Sequence, residues 1–250
     1  MSSTHRILVD CDALNRGQII RLPQSDSHHL LRVLRLGVGA SVSLICKNSG
    51  QSALASIQSE SPTLEVRVES VAEPLLEQSK IGTLLFALSK GSKNDFVCEK
   101  ACELGARHII LWQSDHSVVK LDHKDASAKL LRWNKITKSA AEQSSNTNPC
   151  QVHLALSLEQ ATQTLLGVSQ SSDLFLICSL RPNAVPMRAL GHPENQAHLA
   201  IGPEGDFSER EENALIEFGF KPVNLGPRVL RCETAAVVAL AAVEALWGAS

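Results

Sequence analysis

The sequence has no tyrosine, and aromatic residues make up only 4% of its 250 positions. Residues 1–85 contain no Phe, Tyr or Trp at all. That absence excludes, from the first third of the chain, the stacking platform with which sheet-type readers hold single-stranded RNA. Long apolar runs are also missing. The longest, AAVVALAAVEALW (235–247), is broken by Glu244 and falls short of the roughly 20 residues that a membrane span needs. The opening MSSTHRILVD has no apolar signal core, so a cytoplasmic protein with no membrane partner is expected. The net charge of −2 argues against a non-specific nucleic-acid binder. Seven cysteines are scattered along the chain; only Cys98 and Cys102 are close, and no His or Cys pair completes a zinc set. Buried reduced thiols and no metal are the expectation.

What is present suffices for a sizeable core: 44% hydrophobic and 20% charged residues. Charge is unevenly spread, since residues 1–50 hold six Lys/Arg against three Asp, with His5, His28 and His29 besides. Residues 1–72 read as a small β-rich unit, with strand-length apolar or alternating runs at 5–9, 17–22, 40–46, 52–58 and 64–71. A helix is predicted over 25–37, closed by Gly37. It would place His28, Arg32 and Arg35 on one face and turn Leu30, Leu31 and Leu34 away from it. AEPLLEQSK (72–80) reads as a linker. Beyond it strands (81–89, 108–114, 151–156, 173–179, 197–202, 221–226) alternate with helices (94–105, 125–144, 157–167, 208–219, 233–248). Such alternation predicts an α/β domain with a mostly parallel sheet. Its ligands would sit beyond the carboxyl ends of the strands, and the loops at 178–186, 201–208 and 225–234 are the candidates.

The second of these, in AHLAIGPEGDFSERE, holds Gly202 and Gly205 around Pro203 and Glu204. Ser208 and Glu211 have the spacing of a capping box, which fixes the helix start. A phosphate loop would carry a Lys-Ser/Thr pair after its last glycine; here Glu204 and Asp206 bring acid. A neutral or cationic ligand fits that charge better, and S-adenosylmethionine, a nucleoside bearing a sulfonium, suits a backbone-lined slot. The alternative is an ordinary tight turn followed by an acidic first helical turn, which the helix dipole favours. NLGPRVLRCETAAVVALAAVEALW (224–247) repeats the strand, Gly-Pro, helix pattern, with Arg228 and Arg231 in the connection.

LAIGPEGDFSERE, NLGPRVLRCETAAVVAL, LSKGSKNDFVCEKACELGA (88–106) and SHHLLRVLRLGVG (27–39) together resemble the RsmE-type 16S ribosomal RNA uracil-N3 methyltransferases of the SPOUT superfamily. The likeness spans nearly the whole chain. It implies a PUA-like β-barrel over 1–72 that binds RNA, and a SPOUT-type α/β methyltransferase domain over 73–250 with a C-terminal trefoil knot. It also implies a homodimer, S-adenosylmethionine as cofactor, and 16S ribosomal RNA or the small ribosomal subunit as partner. Cofactor contacts are expected at Ser179, Leu180, Gly202, Pro203, Glu204, Leu225, Gly226, Val229, Leu230 and Thr234. Arg231, and after it Arg228, would stabilise charge spreading over the uracil oxygens as N3 loses its proton. Glu204 or Glu233 would accept that proton or serve only to hold backbone N–H groups at a helix start. Arg6, His28, Arg32, Arg35, Lys90 and Lys93 would meet RNA phosphates, as would Lys120, Lys124, Lys129, Arg132, Lys135 and Lys138; a solvated charged face is the alternative. Three positions depart from the family pattern: Asp206 in place of a glycine, Cys232 in place of a threonine, and no arginine at or near Asn146. They keep open two other readings: a related methyltransferase for another base, ribose or transfer RNA, and a ribosome-assembly protein with an inactive pocket.

Overall fold

A computed structural model describes residues 5–46, 49–59, 63–72, 79–121, 123–144, 146 and 149–248. Most of the expected linker, 73–78, lies outside the described residues. The chain divides into two compact units, residues 1–76 with 141–148, and residues 77–140 with 149–250.

The first unit is built on strands β1 (Arg6–Val9), β2 (Ile19–Arg21), β3 (Ser41–Cys46), β4 (Ser52–Ser59) and β5 (Glu65–Ala72), in the order β1-β3-β4-β5-β2. Only β1 and β3 pair in parallel. Alternation along β4 and β5 buries Ala53, Ala55, Ile57, Val66 and Val68, which pack with Leu22, Leu30, Val42 and Leu44 into one apolar cluster. The helix expected over 25–37 is shorter. Helix α1 covers Gln24–His28, a π-helical turn follows over His29–Val33, and Arg35 has a positive φ of 55°. The shared face of His28, Arg32 and Arg35 therefore does not carry through as a regular helix would carry it. Of the leucines expected to turn away from that face, Leu30 is buried and Leu34 is exposed. The wider π turn breaks the 3.6-residue repeat on which both expectations rested.

The second unit carries a seven-stranded sheet: β6 (Ile81–Ala87), β7 (His108–Trp112), β8 (Gln151–Ala155), β9 (Leu174–Cys178), β10 (Val185–Pro186), β11 (Ala197–Ile201) and β12 (Lys221–Asn224). Their order is β10-β12-β9-β11-β6-β7-β8, and every pairing is parallel. Strands covered on both faces are predominantly apolar rather than alternating; all seven residues of β6 and all five of β11 are buried. Helices α2 (Lys93–Glu103), α3 (His123–Ser144), α4 (Leu158–Leu166), α5 (Glu209–Phe218) and α6 (Cys232–Trp247) connect them. No helix among the described residues is long and apolar enough to cross a membrane.

At the amino end of the sheet, the buried His198 ring stacks on Phe175 and donates from Nε2 to the Asp173 carboxylate at 2.9 Å. Gly82, on the neighbouring strand, leaves the room for that ring. A Cβ there would lie 2.6 Å from His198 Cε1. Gly82→Ala should therefore destabilise by about 1–3 kcal/mol, the usual cost of overpacking, and lower the melting temperature by several degrees. A melting curve identical to the parent's would show that the ring yields freely.

Candidate methyl-donor and RNA site

Because the sheet is parallel, β12, β9 and β11 all end at one edge, and they are immediate neighbours. The three segments that follow them therefore meet. They enclose a hollow of about 410 Å³ lined by Ser179 and Leu180 after β9, by Gly202, Pro203, Glu204 and Asp206 after β11, and by Leu225, Gly226 and Arg228–Cys232 after β12. Ile201, Val223 and Ala235 give it an apolar floor, and Lys93 from the start of α2 reaches in. A concave, mostly apolar hollow with few polar groups is what a nucleoside-sized ligand needs.

The loop after β11 is tight. Asp206 N donates to Pro203 O at 3.0 Å, closing a turn. A Cβ on Gly202 would sit 3.0 Å from Asp206 Oδ1 and 3.1 Å from Phe207 N, so any side chain there pushes against the loop. Asp206 takes φ 62°, the left-handed region where glycine is normally found and where Asp is among the better-tolerated alternatives. Its own Oδ1 accepts from Phe207 N at 2.8 Å and steadies it. Ser208 and Glu211 form both bonds of the expected capping box at the start of α5. At the next loop, Gly226 has φ 116°.

The acid of the hollow is not bare. Lys93 Nζ donates to Glu204 at 2.9 Å and lies 3.4 Å from Glu233. One ammonium thus ties the loop before α5 and the first turn of α6 to the start of α2. Burial pushes the Glu204 carboxyl up, but hydrogen bonds from Lys93 and from backbone N–H groups outweigh it and hold the group below the usual carboxylate range. Glu233 behaves alike: burial raises it, and its own N–H, the Cys232 thiol and Lys93 bring it lower. The lining holds three cations (Lys93, Arg228, Arg231) against two carboxylates. This corrects the electrostatic expectation drawn from Glu204 and Asp206: the lining as a whole is not acidic, and its charge gives no ground for turning a phosphate away.

Of the residues expected from the sequence, Ser179, Leu180, Gly202, Pro203, Glu204, Leu225, Gly226, Arg228, Val229, Leu230 and Arg231 line the hollow. Thr234 does not; it is exposed on the first turn of α6. Glu233 stands behind the hollow on Lys93. Lys93, expected among the phosphate contacts, is engaged by carboxylates, whereas Lys90 is exposed nearby. Arg132 is held by Asp95 in a forked pair. In the first unit Arg6, His28, Arg32 and Arg35 are all exposed. Cys178, Asn224 and Cys232 also line the hollow; the place of Cys178 and Asn224 at strand ends, and of Cys232 at the start of α6, was the signal that would have found them. Buried Cys232 sets its sulfur 3.3 Å from Ser89 Oγ, a packing role that a small polar side chain can fill.

With this geometry in place, the comparisons with known proteins are decisive. A family model described as an RNA methyltransferase domain matches residues 76–244. A ribosomal RNA small subunit methyltransferase E of Bacillus subtilis (strain 168) is 32% identical over 225 residues, 86% of each chain. The chain belongs to the ribosomal RNA small subunit methyltransferase E family. The member of that family from Neisseria gonorrhoeae, solved with S-adenosyl methionine bound, superposes with a TM-score of 0.85 at 30% identity over 98% of each chain. A Legionella pneumophila methyltransferase, also solved with that cofactor, gives 0.87 at 30% identity over 99% of each chain.

The Lys93 clamp has a pH signature. Glu204 and Glu233 have folded-state pKa values below their unfolded ones. Their stabilisation is therefore present above the unfolded carboxyl pKa and lost as pH falls through the folded values. Lys93→Met should be less stable than the parent in urea at pH 7, and the gap should narrow as acid protonates the two carboxylates. A gap that stays the same throughout an acid titration would mean that Lys93 contributes by packing alone.

Proposed function

We propose that this protein uses S-adenosylmethionine to methylate N3 of a uridine in 16S ribosomal RNA of the small subunit, in the cytoplasm. The observation that carries the reading is the meeting of three strand-end loops in one hollow whose lining includes Arg228 and Arg231. The residues present fit the cofactor: an apolar floor for a flat base, a glycine where any Cβ would crowd the loop, and a volume suited to a nucleoside joined to an amino acid. When bound, that cofactor supplies an activated methyl group on sulfonium sulfur. Ser179, Leu180, Gly202 to Glu204 and Leu225 to Leu230 hold it.

The target base must leave its stack to reach such a hollow. Its N3 proton departs before or during attack, and negative charge spreads to O2 and O4. Arg231, with Arg228 second, neutralises that charge at the mouth. Glu204 and Glu233 are weak bases in this setting, since their pKa values are depressed and both face Lys93. A framework role suits them better than proton transfer. Asp206 and Cys232 each find local partners, so these two departures are accommodated in the loops that carry them.

The first unit is proposed to be the PUA-like RNA-binding domain over 1–72, holding phosphates through exposed Arg6, His28, Arg32 and Arg35; Lys90 serves the same end beside the hollow. The methyltransferase domain spans 73–250. Its C-terminal trefoil knot is supported by the path of the chain: β12 lies beyond β9, yet α6 returns to pack on β11, β6 and α2. A homodimer is supported by the outward face of α6, where Val238 and Leu246 are exposed beside Leu180 and Val185.

Incubation with methyl-labelled donor and small subunits from cells lacking the protein, followed by base mapping, should place label on uridine N3. Label on ribose, on another base or on transfer RNA would redirect the assignment within the superfamily, and no label at all would remove it. Gly202→Leu should abolish donor binding in calorimetry while the protein stays folded; unaltered affinity would take this loop out of the site. Arg231→Ala should bind donor normally but transfer methyl slower by about 100-fold or more, the usual loss for a charge-stabilising group. Undiminished turnover would end its catalytic role.

A further inference from the structure

His116 lies in the segment after β7, outside every motif singled out from the sequence, and it reaches the loop that closes the hollow. Its Nδ1 lies 3.2 Å from the carbonyl oxygen of Gly205 and 3.0 Å from that of Asp206. Both partners are acceptors only, so Nδ1 carries the proton and donates to the pair. The His116 Cβ also sits 3.3 Å from where a Cβ on Gly205 would be, so ring and loop are in close apposition. The segment carrying His116 is itself anchored to the helix that follows the loop. Asp115 N donates to the buried Glu211 carboxylate at 2.7 Å, Ser208 Oγ donates to Asp115 at 2.7 Å, and Arg210 pairs with Asp115 at 2.9 Å.

We infer that His116 is a positioning residue for the donor-binding loop: its Nδ1–H holds the two carbonyls that keep Gly202–Asp206 in the shape that forms one wall of the hollow, and it offsets the left-handed backbone at Asp206. The need follows from the loop's own chemistry. A non-glycine residue at φ 62° is held only when its surroundings over-determine it. Here the side chain of Asp206 secures the following amide, and His116 secures the carbonyl on the same residue. Asp206 Oδ1 is also the atom nearest to a Cβ on Gly202, so a shift at Asp206 would be felt at Gly202.

The inference rests on the reading of the hollow as the donor site, and the test separates the two. Hydrogen exchange of the loop amides is measured without ligand, and S-adenosylmethionine affinity by calorimetry, for the parent, His116→Ala, His116→Asn and the double variant His116→Ala with Asp206→Gly. His116 is exposed at the surface, so the variants should fold, and thermal melting verifies it. His116→Ala is expected to speed exchange across 204–207 and weaken donor binding about tenfold, the scale of one lost hydrogen-bonded anchor. His116→Asn, whose side-chain amide can reach the same carbonyls, should restore most of both. Asp206→Gly should recover part of the loss by removing the strained residue. Exchange and affinity unchanged in His116→Ala would overturn the inference. Failure of the parent to bind donor would overturn the site assignment instead, and the exchange data would still decide the role of His116.

Discussion

The structure depends first on the parallel register of β12, β9 and β11. Hydrogen bonding pairs Val223 with Cys178 and Ala200 with Ile177, so the three strands run out at nearly the same level. Nothing else would bring residues 179, 202 and 230 into one wall. Each loop alone is an ordinary strand-to-helix connection. Adjacent and pointing the same way, they make one hollow, and at Gly202 and Gly226 backbone can lie closest to a ligand because there is no side chain.

Lys93 is the second constraint. Two carboxylates at one helix start would repel each other. With an ammonium between them, they become a tie that joins the loops after β11 and β12 to α2. The same tie leaves the arginines of the last loop as the cations free of that clamp at the mouth, where a base losing a proton would need them. Partly exposed pairs of this kind contribute modestly to stability; their value here is in fixing where the loops stand.

Much of this was legible in the chain. β6 and β11 are predominantly apolar, wholly buried runs, and Ser208 with Glu211 announced the start of α5 correctly. The three loops were identifiable because glycine, proline and charge interrupt those runs at strand ends. What stayed hidden was pairwise. No spacing rule connects Lys93 to Glu204, 111 residues away, or His116 to Asp206, so the acid looked unpaired and the lysine looked free. The helix over 25–37 failed for a local reason: apolar spacing cannot reveal a π turn, which changes the repeat without changing the composition. Two-residue β10 carries too few positions to show any period.

The most direct test is a crystal structure of the protein with S-adenosylmethionine. The account predicts density for the donor within the hollow bounded by Ser179, Gly202 and Leu230, with its methyl group facing the mouth where Arg231 stands. Donor bound elsewhere, or a nucleotide phosphate resting on the amides of Gly202 and Gly205 that the donor cannot displace, would contradict it.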